Sequence, residues 1–135
     1  MLYTEDGGAT WINQDPGIGD FFRDVFFIDA QRGWIADSYN SQVLRATGGG
    51  NTWEPFGIGL PMYVESIYFL DANTGWLAGG DNDHGRILYT TDGGITWQEQ
   101  YSGGLILVGI DFADSLQGWA IGWNGAILHT ETGGG

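Results

Sequence analysis

Apolar side chains recur at every second position in three separated stretches: Val25 and Phe27, Ile67 and Phe69, Ile110 and Phe112, each followed a few residues later by a Gly-Trp pair. Period two is the signature of a strand that buries one face. No stretch keeps a 3.6-residue period over the roughly 11 residues that an amphipathic helix needs. The pattern therefore predicts an all-β chain of short strands.

The stretches are copies of one frame. "DVFFIDAQRGWIA" from Asp24, "SIYFLDANTGWLA" from Ser66 and "GIDFADSLQGWAI" from Gly109 share the columns Val25/Ile67/Ile110, Phe27/Phe69/Phe112, Asp29/Asp71/Asp114 and Trp34/Trp76/Trp119. Equivalent tryptophans are 42 and 43 residues apart, within the roughly 40–50 residues that mark a four-stranded propeller blade. Turn formers, "DAQRG", "DANTG" and "DSLQG", separate the first strand from the second. Each repeat reads as a meander: strand a over 23–28, 65–70 and 107–112; strand b over 33–37, 75–79 and 118–122; strand c over 43–47, 86–90 and 126–130; strand d over 52–56 and 96–100. Residues 1–4 and 10–13 read as a further c and d.

Between c and d stands an octet, "TEDGGATW" from Thr4 and "TTDGGITW" from Thr90, with a looser copy "ATGGGNTW" from Ala46 and a partial one, "TETGGG", from Thr130. An aspartate in a tight turn accepts hydrogen bonds from backbone N–H groups just beyond it, and glycine supplies the positive φ of the corner. Trp11, Trp53 and Trp97 are expected to open strand d and cover the corner with their indoles. Gly48 and Thr132 replace the aspartate in the other copies, which a turn tolerates for roughly a kcal/mol and a carboxylate-dependent ligand site would not. The octet is expected to be structural.

Thr4, Asp6, Gly8, Thr10 and Trp11, with Thr90, Asp92, Gly94, Thr96 and Trp97 and the partial set Gly50, Thr52 and Trp53, resemble Asp-boxes. Together with the Phe-x-Asp-x3-Gly-Trp frame, the chain resembles the BNR/Asp-box β-propellers of the photosystem II stability and assembly factor type. The resemblance implies radially arranged blades, with the boxes as structural hairpins on the periphery, remote from the ligand face. It implies no single function, because such boxes also occur in sialidases, xyloglucan-cleaving glycosidases and sorting receptors.

The predicted architecture is one partial propeller domain over 1–135: strands c and d of a shared blade in 1–14, blade 1 in 15–56, blade 2 in 57–100, and blade 3, without its last strand, in 101–135. Propellers close with about 4–8 blades, so three repeats do not make a ring. Residues 1–9 duplicate the register of 127–135. The expectation is a homodimer in which strands exchange between two chains to complete six blades, hiding open edges and apolar faces.

Composition narrows the chemistry. Hydrophobic residues make up 42% of the chain and aromatics 15%, enough to bury a core. Seventeen acidic against four basic residues give a net charge of −13, which repels nucleic acid and anionic membranes. With no cysteine, disulfides and thiolate sites are excluded while the compartment stays open. A soluble chain without a signal peptide is expected, and no cofactor.

Candidate sites are few. Loops d-to-a and b-to-c meet on one propeller face, where the off-register Trp123 joins Tyr39, Tyr63 and Tyr101 as candidate ligand-binding aromatics. Asp81, Asp83 and His84 could converge on a metal within one b-to-c loop, although Asx-rich hairpin loops usually have this composition for turn reasons alone. Asp20, Asp24 and Glu65, near the start of strand a, are the carboxylates a glycosidase would use; no catalytic residue is assigned. The reading that follows is a non-enzymatic, self-assembling scaffold with a protein-binding face. A carbohydrate-binding module and a fragment of a propeller glycosidase are the alternatives.

Overall fold

The computed structural model describes residues 1–19 and 21–135. Its strands are β1 (Leu2–Tyr3), β2 (Ile12–Asn13), β3 (Phe22–Phe27), β4 (Gly33–Asp37), β5 (Gln42–Ala46), β6 (Glu54–Gly57), β7 (Tyr63–Phe69), β8 (Gly75–Gly80), β9 (Gly85–Thr90), β10 (Gln98–Gly103), β11 (Leu107–Phe112), β12 (Gly118–Gly122) and β13 (Ile127–Thr130). They form antiparallel meanders β3-β4-β5-β6 and β7-β8-β9-β10, a three-stranded sheet β11-β12-β13, and the hairpin β1-β2. We refer to the three larger sheets as blades 1, 2 and 3. Strand β7 packs beside both β3 and β11, so the first strands of the three blades are neighbours.

Strand d begins later than the sequence pattern suggests, at Glu54 and Gln98. Trp11, Trp53 and Trp97 lie one residue before the strand rather than in it. In blade 2 the reason is chemical: the Asp92 carboxylate accepts both the N–H and the hydroxyl of Thr96, at 2.9 and 2.5 Å, and holds that residue in the corner.

The period-two columns become the joints between blades. Trp34 of blade 1 stacks on Phe69 of blade 2 with centroids 3.7 Å apart, and Trp76 of blade 2 stacks on Phe112 of blade 3 at the same distance. Each indole also reaches the next blade's corner: Trp34 Nε1–H donates to the Gly93 carbonyl and Trp76 Nε1–H to that of Gly133. The largest buried cluster, with Trp34, Val43, Val64, Ile67, Phe69, Leu77 and Leu88, lies at the joint of blades 1 and 2.

Candidate functional site

The corners between strands c and d hold most of the motif residues. In the first, Thr4 Oγ1 donates to Asp6 and accepts the Gly8 N–H, while Asp6 accepts the N–H and hydroxyl of Thr10. The Thr90–Thr96 corner repeats this set bond for bond. Gly7, Gly8, Gly93 and Gly94 all have φ between +70° and +94°, the region only glycine enters without strain. Three backbone and hydroxyl donors around each aspartate leave little of the carboxylate for a ligand.

These bonds set the acidity. Donation by the Thr10 hydroxyl, then by its N–H, lowers Asp6 to about 2. Partial burial works to raise Asp92, but the Thr96 hydroxyl and N–H overcome it and lower that group as well. A depressed folded pKa stabilises the fold above the ordinary value of 3.8 and loses that contribution as the group protonates below it. The difference in unfolding midpoint between wild type and Asp92→Ala is therefore expected to be constant at neutral pH and to shrink as pH falls below 3.8. A midpoint difference independent of pH in acid would contradict this.

The indoles at the corners differ. Trp97 packs edge-on against Phe69 and donates to the Gly94 carbonyl. Trp53 is buried edge-on against Phe27, but its Nε1–H has no partner among the described residues. Trp11, expected to cover its corner, is exposed, because neither inner strand of a blade lies beside the β1-β2 hairpin.

On the opposite ends of the strands, three expected aromatics converge. Tyr39, Tyr63 and Trp123 line one groove of about 470 Å³ with Phe21, Arg23, Glu65, Asp81 and Ile106. All three aromatics are exposed. Tyr101 does not join them; it lies instead beside the joint of blades 2 and 3.

The groove is built from backbone. Where strand b ends, the chain is tied to the incoming d-to-a loop: Ser38 N–H donates to the Phe21 carbonyl at 2.9 Å and Trp123 N–H to that of Ile106 at 3.0 Å. Buried Asp37 holds the Tyr39 loop by accepting from the Asn40 and Gln42 side-chain amides. Ser41, at φ +49°, both donates to and accepts from the Met62 backbone, tying that loop to blade 2. Asn124 turns the chain after Trp123 with φ +57°.

Register shifts do the rest. Strands β3, β7 and β11 each carry an irregularity at the equivalent position, between Phe22 and Asp24, Val64 and Ser66, and Leu107 and Gly109. A bulge re-aims a side chain, and the two charged residues at these positions meet across the joint as the ion pair Arg23 Nε–Glu65 Oε2 at 3.2 Å. Alternation along the strand does not reveal this pair.

Asp81 is the acceptor of its own turn, taking the N–H groups of Asp83 and His84 at 2.9 and 2.8 Å, while its second oxygen faces Arg86 at 3.3 Å. Those N–H groups lower Asp81 to about 2. Among the described residues, no three histidine or carboxylate groups are placed to hold a metal ion, so Asp81, Asp83 and His84 form a turn rather than a coordination set. Asp24 accepts from the Ser66 hydroxyl and the Ile67 N–H and joins blade 1 to blade 2; with Glu65 paired to Arg23, neither carboxylate is free. Asp20 lies outside the described residues. No helix among the described residues is long and apolar enough to cross a membrane.

No protein-family model matches the sequence, and no curated protein matches it. Solved structures do. The chain is similar to a YCF48 structure bound to a D1 peptide, with 26% identity, a TM-score of 0.74, and coverage of 91% of this chain and 42% of that one. It is also similar to YCF48 from Cyanidioschyzon merolae, with 23% identity, a TM-score of 0.70, and coverage of 84% of this chain and 38% of that one. The chain thus spans less than half the length of these structures, and its all-β sheets have the architecture of part of a β-propeller.

Proposed function

We propose that this chain is a non-enzymatic, protein-binding propeller scaffold that holds an extended peptide in the groove between Tyr39, Tyr63 and Trp123. The convergence of these three exposed aromatics on one face carries the reading. Aromatic rings present large, rigid contact area on a surface fixed by strand ends. Support also comes from the structural neighbour with a bound D1 peptide. The charge of −13 favours a neutral or basic segment. A glycosidase is disfavoured because Asp24 and Glu65 are both engaged.

The scaffold reading includes self-assembly, with a second copy completing the ring and two copies giving six blades. The open apolar residues Phe27 and Trp119, on the outer faces of blades 1 and 3, support it.

The binding test is a titration of the chain with a D1 peptide followed by tryptophan fluorescence. Trp123→Ala is expected to weaken binding about 30-fold, the loss of a hot-spot aromatic worth roughly 2 kcal/mol, without changing the unfolding midpoint, since Trp123 is exposed. Equal affinity in wild type and variant would remove the groove from the proposal. Binding to a glycan array with no peptide binding would favour a carbohydrate-binding module instead.

A further inference from the structure

The two internal joints obey one rule. The strand-b tryptophan of a blade stacks on the strand-a phenylalanine of the next blade and donates to a glycine carbonyl in that blade's corner. Trp34 and Trp76, which have such partners, are each 1% exposed; Trp119 is 40% exposed, and the matching Phe27 is 39% exposed. Ile121 and Ile127 on the face of Trp119, and Val25 beside Phe27, are open as well, although their equivalents Ala36, Val43 and Ile67 are buried in the first joint.

A second complementarity lies at the corner of blade 3. In blades 1 and 2 an indole stands edge-on to the strand-a phenylalanine, Trp53 to Phe27 and Trp97 to Phe69, at 5.9 and 6.0 Å. The corresponding place beside Phe112 is a socket of about 260 Å³, lined also by Gly118, Ala120, Leu128, Thr130 and Gly134. Trp11, which heads β2 as Trp97 heads β10, is 58% exposed.

We propose that these surfaces form one heterologous joint between two copies of this chain. Trp119 of one copy stacks on Phe27 of the other and donates to its Gly49 carbonyl, and Trp11 of the other copy fills the socket at Phe112. The proposal rests on the self-assembly reading and assigns its contacts. It also explains the duplicated strand c. In blade 2, Tyr89 pairs with Gln98, and in the hairpin Tyr3 pairs with Ile12 in the same register. His129 is the equivalent residue of blade 3, held by a four-residue ladder to β12. Only two residue pairs hold β1 to β2, and Met1 packs against the face of blade 1 around Ile35 and Leu44. Ile127–Thr130 of one copy, with the corner that follows it, therefore displaces residues 1–4 and the first corner of the other and takes up its β2.

The chain has no cysteine, which permits a clean cross-linking test. Val25→Cys and Ile121→Cys proteins, mixed and oxidised, are expected to give a disulfide-linked dimer, while neither alone does so. Trp11→Ser is expected to weaken association at least tenfold with an unchanged unfolding midpoint, and deletion of residues 1–4 to strengthen it by removing the competitor. Rising salt is expected to increase the mass by screening two chains of −13 each. A wild-type mass of 14.7 kDa at every salt and protein concentration would overturn self-assembly and the joint with it. An oligomer whose mixed cysteine variants fail to cross-link, or that cross-links equally through Val25→Cys alone, would overturn this joint and leave self-assembly standing. An oligomer weakened by deletion of residues 1–4 would overturn the displacement.

Discussion

Replacing Trp34 by alanine is expected to destabilise the chain by about 3–5 kcal/mol, the range for truncating a large buried aromatic. Trp34 is fully buried, lies flat on Phe69 with an interplanar angle of 5°, and donates to the Gly93 carbonyl at 2.8 Å. Truncation removes the stack, opens a cavity in the largest cluster, and leaves that carbonyl unpaired. A domain of this size has roughly 5–15 kcal/mol in total, so the loss should be visible as a large shift of the urea midpoint. Trp34→Phe separates the terms: it keeps an aromatic ring on Phe69 while losing the N–H and the outer part of the indole, and is expected to cost about 1–3 kcal/mol. If both variants unfold within 1 kcal/mol of wild type, the joint is not where the stability resides. Because the joint sets the spacing of blades 1 and 2, it also sets the distance between Tyr39 and Tyr63, and peptide binding should weaken with stability.

The blades were legible in the sequence because period-two alternation and turn residues are local properties of the chain. The columns Phe27/Phe69/Phe112 and Trp34/Trp76/Trp119 could be read as core positions for the same reason. Their burial could not, because it depends on what stands opposite: Trp76 meets Phe112, whereas Trp119 faces no blade among the described residues. Trp11 and Trp53 show the same divergence within one motif. Trp123 stands out in the sequence because it falls outside both repeat registers, and Tyr39 because it lies in a b-to-c loop. The Arg23–Glu65 pair was not, since each residue occupies a bulge that breaks the alternation used to assign sides. The acidic loop at Asp81 looked like a metal set because composition does not distinguish a carboxylate that closes its own turn from one that is free.

The groove itself depends on glycine at a point where two loops cross. A Cβ on Gly85 would stand 1.6 Å from the Leu105 carbonyl oxygen, and one on Gly122 would stand 2.2 Å from that of Ile106. Both obstacles are backbone, which cannot rotate aside as a side chain would. Gly85→Ala must therefore push the 104–106 segment outward or distort the start of β9, and a cost of about 3 kcal/mol or more is expected, at the upper end for a single substitution. The displacement would not stay local. Ile106 accepts the Trp123 N–H and lines the groove with it, so moving its neighbour shifts the platform on which the peptide is proposed to lie. Gly85→Ala should thus lower both the urea midpoint and the affinity for the D1 peptide, whereas Trp123→Ala lowers affinity alone. If Gly85→Ala left both unchanged, the d-to-a loop would not be pinned by the b-to-c hairpin, and the groove could not owe its shape to that crossing.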